Sequence, residues 1–148
     1  MRRFVIDDYE RVGRWTFDRT GGNWGDPDAI AIGLEKDGQI VVGVVFDHYN
    51  RASIAMHVAV EPGYIDRDFI RFVFGYAFGQ LRAKKVIGFV DSSNVKALEF
   101  DRKLGFVQEA VIKDASPGGD LIFLTMTADQ CRWLENVHGR KEQCSCCT

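Results

Sequence analysis

The chain has 148 residues and a formal net charge of −2 at pH 7, which suits a single domain with a substantial buried core. The slight excess of acids argues against a nucleic-acid partner, because nucleic-acid-binding proteins need many cations to neutralise phosphates. No apolar run approaches the ~20 residues of a membrane helix, and Asp7 and Asp8 come too early for a signal peptide. We therefore expect a cytoplasmic protein with no membrane partner.

The patterns of apolar residues and turn residues predict the elements in chain order. We expect a helix at 7–19, strands at 29–34, 40–46 and 52–60, a helix at 66–82, a strand at 86–90, a helix at 95–104, strands at 106–113 and 121–127, and a short terminal helix at 128–137. This order predicts a mixed α/β fold, with a mostly antiparallel central sheet of about six strands and helices on both faces. The helix at 66–82 would be a parallel crossover.

Local signals support the elements of the first half. Apolar residues recur at a helical spacing from Ile6 through Tyr9 to Phe17. The turn-rich loop that follows carries Trp24 as a candidate anchor or substrate-facing aromatic. Asp37-Gly38 lies between two β-rich runs, and this pair favours a type I′ hairpin turn with positive φ at both positions.

The helix at 66–82 carries two apolar stripes and should be buried on more than one side. Asp66 is a candidate N-cap. Gly75 and Gly79 are costly inside a helix, so they suggest a close backbone approach. The terminal helix or a second subunit could cover the outer stripe, which leaves a homodimer open.

The cysteines are placed near the end of the chain. Three stand among the last five residues, and Cys131 precedes them. The body of the chain therefore has no disulfide framework. No set of His, Cys and Asp has zinc-site spacing, so we expect no metal. The sequence predicts one domain over 1–137 and a flexible cysteine-containing tail over 138–148.

One segment resembles a known family. Asn94 and Ala97 open the predicted helix at 95–104, and Lys103-Leu104-Gly105-Phe106 closes it. This arrangement is similar to the C-terminal half of the GCN5-related N-acetyltransferase (GNAT) superfamily, and the element order over 29–127 agrees with it. The segment after Phe106 looks most like the ribosomal-protein N-terminal acetyltransferase branch. The resemblance implies a GNAT fold and acetyl-CoA as cosubstrate.

The resemblance also implies where acetyl-CoA would bind. The strands at 52–60 and 86–90 would splay apart, and the backbone of Val58, Ala59 and Val60 would pair with the pantetheine amides. On the following helix, the implied contacts come from three residues: Asn94, Ala97 and Phe100. For Asn94, an ordinary helix N-cap is an equally good interpretation, and the two roles can coexist.

The phosphate-binding segment departs from the family. Val60-Glu61-Pro62 resembles its opening, but 63–70 lacks the glycine pair that usually wraps the pyrophosphate. The helix N-terminus still offers unpaired N–H groups. Arg67 and Arg71, one turn apart, could supply the positive charge.

Candidate catalytic residues follow from the same comparison and from strand alternation. Asp101 stands where many relatives carry a proton-donating tyrosine, and it could donate a proton only if burial raises its pKa. Alternation places His57 and Glu61 opposite Val58 and Val60. If that face lines the cleft, His57 is a candidate base; otherwise it is a half-exposed strand histidine. Tyr64 is more typical of a structural aromatic.

The sequence thus predicts an N-acetyltransferase in which a primary amine attacks acetyl-CoA directly within a ternary complex. The acceptor would be an amine-bearing small molecule or a protein or peptide. The alternative is a catalytically degenerate relative that serves as a CoA-binding or protein-interaction module. A more distant alternative is an unrelated α/β enzyme with the same element order.

Overall fold

The computed structural model describes residues 1–23 and 25–134. Trp24 and the predicted tail at 138–148 lie outside the described residues. The elements are β1 (Arg2–Val5), α1 (Tyr9–Thr20), β2 (Ile30–Lys36), β3 (Gln39–Asp47), β4 (Ser53–Val60), α2 (Arg67–Gly75), β5 (Lys85–Asp91), α3 (Val95–Leu104), β6 (Val107–Ser116) and β7 (Gly119–Thr127). They form a seven-stranded sheet in the order β1-β2-β3-β4-β5-β7-β6. The predicted mixed α/β fold is confirmed, and so is the parallel crossover from β4 to β5.

The sheet has one strand more than the six that the sequence pattern indicated, because the pattern did not reveal β1. β1 pairs antiparallel with β2, so that Phe4 faces Leu34. Arg2 and Arg3 interrupt the apolar pattern that is typical of a strand. In the folded chain, Arg3 forms an ion pair of 3.2 Å with Glu35. Phe4 packs edge-on against Phe69 of α2, with ring centroids 5.3 Å apart. Distant partners therefore stabilise this strand.

The hairpin between β2 and β3 forms as predicted. Asp37 and Gly38 have φ of 51° and 83°, which is the positive φ that a type I′ turn needs at both central positions.

Helix α1 packs on one face of the sheet, here called the α1 face. It buries Val12, Gly13, Thr16 and Phe17, whereas Tyr9 of the predicted stripe is 45% exposed. The helix lies very close to β3, because a Cβ atom at Gly43 would be 2.0 Å from Thr16 Oγ1. Only glycine allows this approach.

Helix α2 packs on the opposite face, here called the α2 face, and buries Phe69, Val73 and Phe74. It ends earlier than predicted, at Gly75, and a π-helical turn follows over Tyr76–Gln80. The expectation of a close approach at the helix glycines was wrong, because a Cβ atom at Gly75 or Gly79 would meet nothing within 4 Å.

Helix α3 also lies on the α2 face, where Leu98 and Leu104 join the main core. The predicted terminal helix is replaced, within the described residues, by a short 3-10 turn over Arg132–Leu134. Cys131 and Leu134 are buried. No helix in residues 1–23 and 25–134 is long and apolar enough to cross a membrane.

Candidate active site

A gap opens in the sheet between β4 and β5. The two strands pair at only three positions, where Ser53, Ile54 and Ala55 face Lys85, Val86 and Ile87. Beyond Ala55, β4 runs on to Val60 and β5 runs on to Asp91 without pairing to each other. The splay that the family resemblance implied is therefore present.

The gap forms part of a cavity of about 550 Å³, here called the interstrand cleft. Its lining comes from three parts of the fold: the unpaired ends of β4 and β5, the C-terminal end of α1, and the first turns of α3. The residues from α1 and the loop after it are Arg19, Thr20, Gly21 and Gly22. The cleft thus runs through the sheet, from the α1 face to the α2 face.

The structure brings most of the predicted cosubstrate contacts together. Five of them line the cleft: Val58, Ala59, Val60, Asn94 and Ala97. Phe100 instead lines a small apolar groove on the α2 face, beside Val58 and Val60. Asn94 Oδ1 accepts the backbone N–H of Ala97 at 3.2 Å, as an N-cap does.

The predicted phosphate-binding arginines lie on α2 and not among the residues that line the cleft. Arg71 is 3.4 Å from Asp68, whereas Arg67 makes no ion pair within the described residues. Asp66 caps the helix by accepting the N–H of Phe69 at 2.9 Å.

Arg2 binds the two acids at the start of α2. Its guanidinium is 2.5 Å from Asp66 and 3.4 Å from Asp68. Burial acts to raise the pKa of Asp66, but the bonds from the Phe69 N–H and Arg2 outweigh it and hold that pKa below its usual value. Arg2 therefore offsets the negative charge beside this helix N-terminus.

Asp101 lies on the α2 face of the cleft, over the backbone of β5. A Cβ atom at Gly88 would be 3.4 Å from Asp101 Oδ2. Within the described residues the carboxyl group has no ion-pair partner, and burial raises its pKa to about 7. A carboxyl group with this pKa carries a proton about half the time at neutral pH, so it meets the condition for a proton donor.

His57 lines the cleft and is bound to a buried carboxylate. Its Nε2 is 2.9 Å from Asp47 Oδ1, and the exposed fraction of Asp47 is 6%. Exposed His48 places its Nδ1 2.9 Å from the same oxygen. Burial acts to raise the pKa of Asp47, but the hydrogen bonds from His57 and His48 outweigh it and lower that pKa.

An ionised Asp47 accepts both hydrogen bonds, so Nε2 of His57 carries the hydrogen and Nδ1 is the basic nitrogen of the neutral ring. Every fully buried polar side-chain atom among the described residues has a partner, and no described partner bonds Nδ1. That nitrogen is therefore without a hydrogen-bond partner in the described part of the chain and is not fully buried. The predicted facing of His57 is confirmed, since the ring lies on the α1 face against Phe17.

The other carboxylates that line the cleft accept hydrogen bonds from protein groups. Glu61, which strand alternation placed on the same face as His57, accepts a hydrogen bond from Arg19 Nε at 3.0 Å. Asp91 accepts the hydroxyls of Ser93 and Ser116 and the N–H groups of Ser93 and Gly118. The Ser116 hydroxyl and the other donors hold the pKa of Asp91 far below its usual value.

Sequence reasoning missed Asp47 and Arg19 as site residues. Val45 faces His57 across the hairpin, and Asp47 faces Ala55. Asp47 is therefore a diagonal neighbour of His57 on the same face, and the register of β3 with β4 would have revealed it. Among residues 1–23 and 25–134, no group of three His, Cys, Asp or Glu side chains could hold a metal ion.

The splayed sheet, the crossover helix and the cleft define the fold of the GCN5-related N-acetyltransferases. Among solved structures, a variant of the spermidine N-acetyltransferase of Vibrio cholerae is 15% identical to this chain, with a TM-score of 0.69, and the likeness covers 90% of this chain and 96% of that one. The ribosomal-protein-S18-alanine N-acetyltransferase of Escherichia coli is 14% identical, with a TM-score of 0.63, over 86% of this chain and 94% of that one. No family model matches the chain, and no curated protein sequence matches it. At these identities the likeness establishes the fold, as the sequence predicted.

Proposed function

We propose that this protein is an N-acetyltransferase that moves the acetyl group of acetyl-CoA to a primary amine within a ternary complex. The observation that carries the proposal is the gap between β4 and β5, with a carboxyl group of raised pKa on one face and an oriented imidazole on the other. The acceptor is an amine on a small molecule or on a protein or peptide.

The unpaired strand edges suit the pantetheine arm. Backbone groups of Val58, Ala59 and Val60 that do not bond β3 are free to pair with its two amides, as a sheet edge pairs with an added strand. Asn94 keeps its side-chain N–H groups for the same arm, because only its Oδ1 is used in capping.

The pyrophosphate would lie at the N-terminus of α2, where the helix dipole and the N–H groups that Asp66 does not cap favour an anion. Arg67, with no ion-pair partner among the described residues, is the cation most ready to bind it. Arg71 must share its charge with Asp68. Because Arg2 is bound to Asp66 and Asp68, those acids oppose the phosphates less than the sequence suggested.

The two catalytic candidates divide the proton transfers. His57 Nδ1 accepts a proton from the attacking amine as the carbon–nitrogen bond forms. Asp47 holds the ring and stabilises the imidazolium. The carbon–sulfur bond then breaks, and protonated Asp101 gives its proton to the sulfur. A thiol has a pKa of only about 8.5, so a donor near 7 is well matched to this leaving group.

We further propose that residues 1–137 form the catalytic domain and that 138–148 are a flexible tail. Catalysis by this domain would take place in the cytoplasm.

Thermal unfolding with and without millimolar acetyl-CoA tests the cosubstrate. We expect an increase in Tm, because a ligand that binds only the folded state stabilises it. Ala97→Glu places a charge in the cleft wall and should abolish the increase. Val95→Glu places the same charge on an exposed site of the same helix and should retain it.

Transfer itself is tested by thiol release from acetyl-CoA in the presence of primary amines. Stabilisation by acetyl-CoA without transfer to any amine would support the degenerate binding module. The altered phosphate segment and the missing tyrosine are the observations that favour that module. No stabilisation of the wild-type protein would reject the N-acetyltransferase and the CoA-binding module, and it would leave the protein-interaction module.

A further inference from the structure

We infer that the acceptor is a primary amine attached through a short spacer to an aryl or other bulky apolar group, and that this group packs on Phe89. This inference rests on the proposed function and names the acceptor class of the same site. It follows from the aromatic wall beside His57 and from the hydrogen bonds that already engage the acids beside it among the described residues.

The wall is built from side chains on the α1 face. The His57 ring packs against Phe17, with centroids 5.1 Å apart, and the centroid of Phe89 is 6.4 Å from that of His57. Phe89 packs edge-on against Phe123, its neighbour on β7, at 5.0 Å. Two phenyl rings therefore continue from the candidate base along the sheet, and Phe17 of α1 packs on the base itself.

Phe89 is the part of this wall that a ligand can cover. It lies in the unpaired end of β5 and lines the cleft, and 42% of its surface is exposed. Helix α1 packs over β2, β3 and β4. Phe89 lies on β5, the next strand, beyond the part of the sheet on which α1 packs. A large exposed aromatic beside a reactive polar group is typical of a ligand-binding surface.

The charges at this end of the cleft argue against a polycationic acceptor. Each acid there already has partners: Asp47 has His57 and His48, Glu61 has Arg19, and Asp91 has four donors. Asp101 lies on the other face of the sheet, beside Gly88. Among the described residues that line the α1 side of the cleft, a second ammonium group would find no carboxylate without hydrogen-bond partners.

The spacing sets the shape of the acceptor. Aromatic rings pack with centroids about 4.5–7 Å apart. A ring over Phe89 whose amine reaches His57 Nδ1 therefore needs a spacer of about two or three carbons, since the two protein rings are 6.4 Å apart. Phenethylamine has this shape, and ethylamine is the same amine without the ring.

The test compares kcat/KM for phenethylamine, ethylamine and spermidine at saturating acetyl-CoA. We expect phenethylamine to be the preferred acceptor. Phe89→Ala should lower the ratio of phenethylamine to ethylamine by about tenfold. Tyr9→Ala removes an aromatic that is equally exposed but outside the cleft, and it should leave the ratio unchanged.

Two results would overturn the inference while leaving the proposed function intact. One is a preference for spermidine, and the other is an unchanged ratio in Phe89→Ala. Ligand-detected NMR of phenethylamine without acetyl-CoA separates the two proposals. If the wild-type protein binds phenethylamine and Phe89→Ala does not, the subsite stands even where acetyl transfer fails; if the wild-type protein does not bind it, the subsite is refuted.

Discussion

The buried carboxyl group of Asp101 makes a prediction about stability that does not depend on any substrate. Burial raises its pKa from 3.8 to about 7. The folded chain therefore holds this proton more tightly than the unfolded chain does. The resulting stability is fully present below the unfolded pKa of 3.8 and is lost as pH rises through about 7. Asp101→Asn cannot ionise, so it escapes this loss.

The magnitude follows from the two pKa values. At about 1.4 kcal/mol per pH unit, the difference corresponds to at most about 4 kcal/mol of unfolding free energy above pH 7. The carboxyl group lines an open cleft, and water there reduces the penalty. We therefore compare the free energy of unfolding of Asp101→Asn with that of the wild-type protein. We expect this difference to shift in favour of Asp101→Asn by about 1–3 kcal/mol as the pH rises from acidic to mildly alkaline.

Urea unfolding from about pH 4 to about pH 8 measures this gain. Glu99→Gln removes an exposed carboxylate from the same helix, so its stability relative to wild type should not change with pH in this way. If the difference between Asp101→Asn and wild type is independent of pH, or moves in the opposite direction, the carboxyl group is not held neutral by burial and its proposed role as acid is lost.

Three further predictions concern other parts of the chain. His57→Gln should lower kcat for acetyl transfer by about 10²–10⁴ while the increase in Tm with acetyl-CoA persists; equal loss of both would make His57 a structural residue. The hydrogen bond to Asp47 raises the pKa of His48, so Asp47→Asn should make His48 titrate at lower pH by NMR, and an unchanged titration would contradict the pairing. Burial raises the pKa of Cys131 to about 11, so mass spectrometry after thiol labelling should find it unmodified until urea unfolds the chain, and labelling in the native state would contradict its burial.

Local sequence signals were sufficient for much of the fold. Asp37-Gly38 specified its turn because the φ angles depend on those two residues alone. Asn94 and Gly105 mark the two ends of α3 through effects that are also local: Asn94 caps the first turn with its side chain, and Gly105 adopts the positive φ that ends the helix. β1 could not be predicted in this way, because its stability comes from Glu35 and Phe69, which are distant in sequence.

The sequence indicated where the site lies, but it did not indicate the hydrogen-bond partner of His57 or the pKa of Asp101. Strand alternation placed His57 on the correct face. Its partner Asp47 depends on the register of β3 with β4, which one strand pattern does not specify. The pKa of Asp101 depends on burial over Gly88 of β5, and that contact exists only once α3 has packed on the sheet.

The three pairs that join β4 to β5 also determine how the sheet can move. Ser53, Ile54 and Ala55 connect the half made of β1 to β4 with the half made of β5, β7 and β6, and they do so at one end only. A small rotation about that seam displaces the open ends most, near Val60 and Asp91, while it breaks no strand pairing. Strand pairing therefore restrains the separation of the two halves only at Ser53–Ala55, and the width of the opening beyond them depends on side-chain packing and on what lies between the strands.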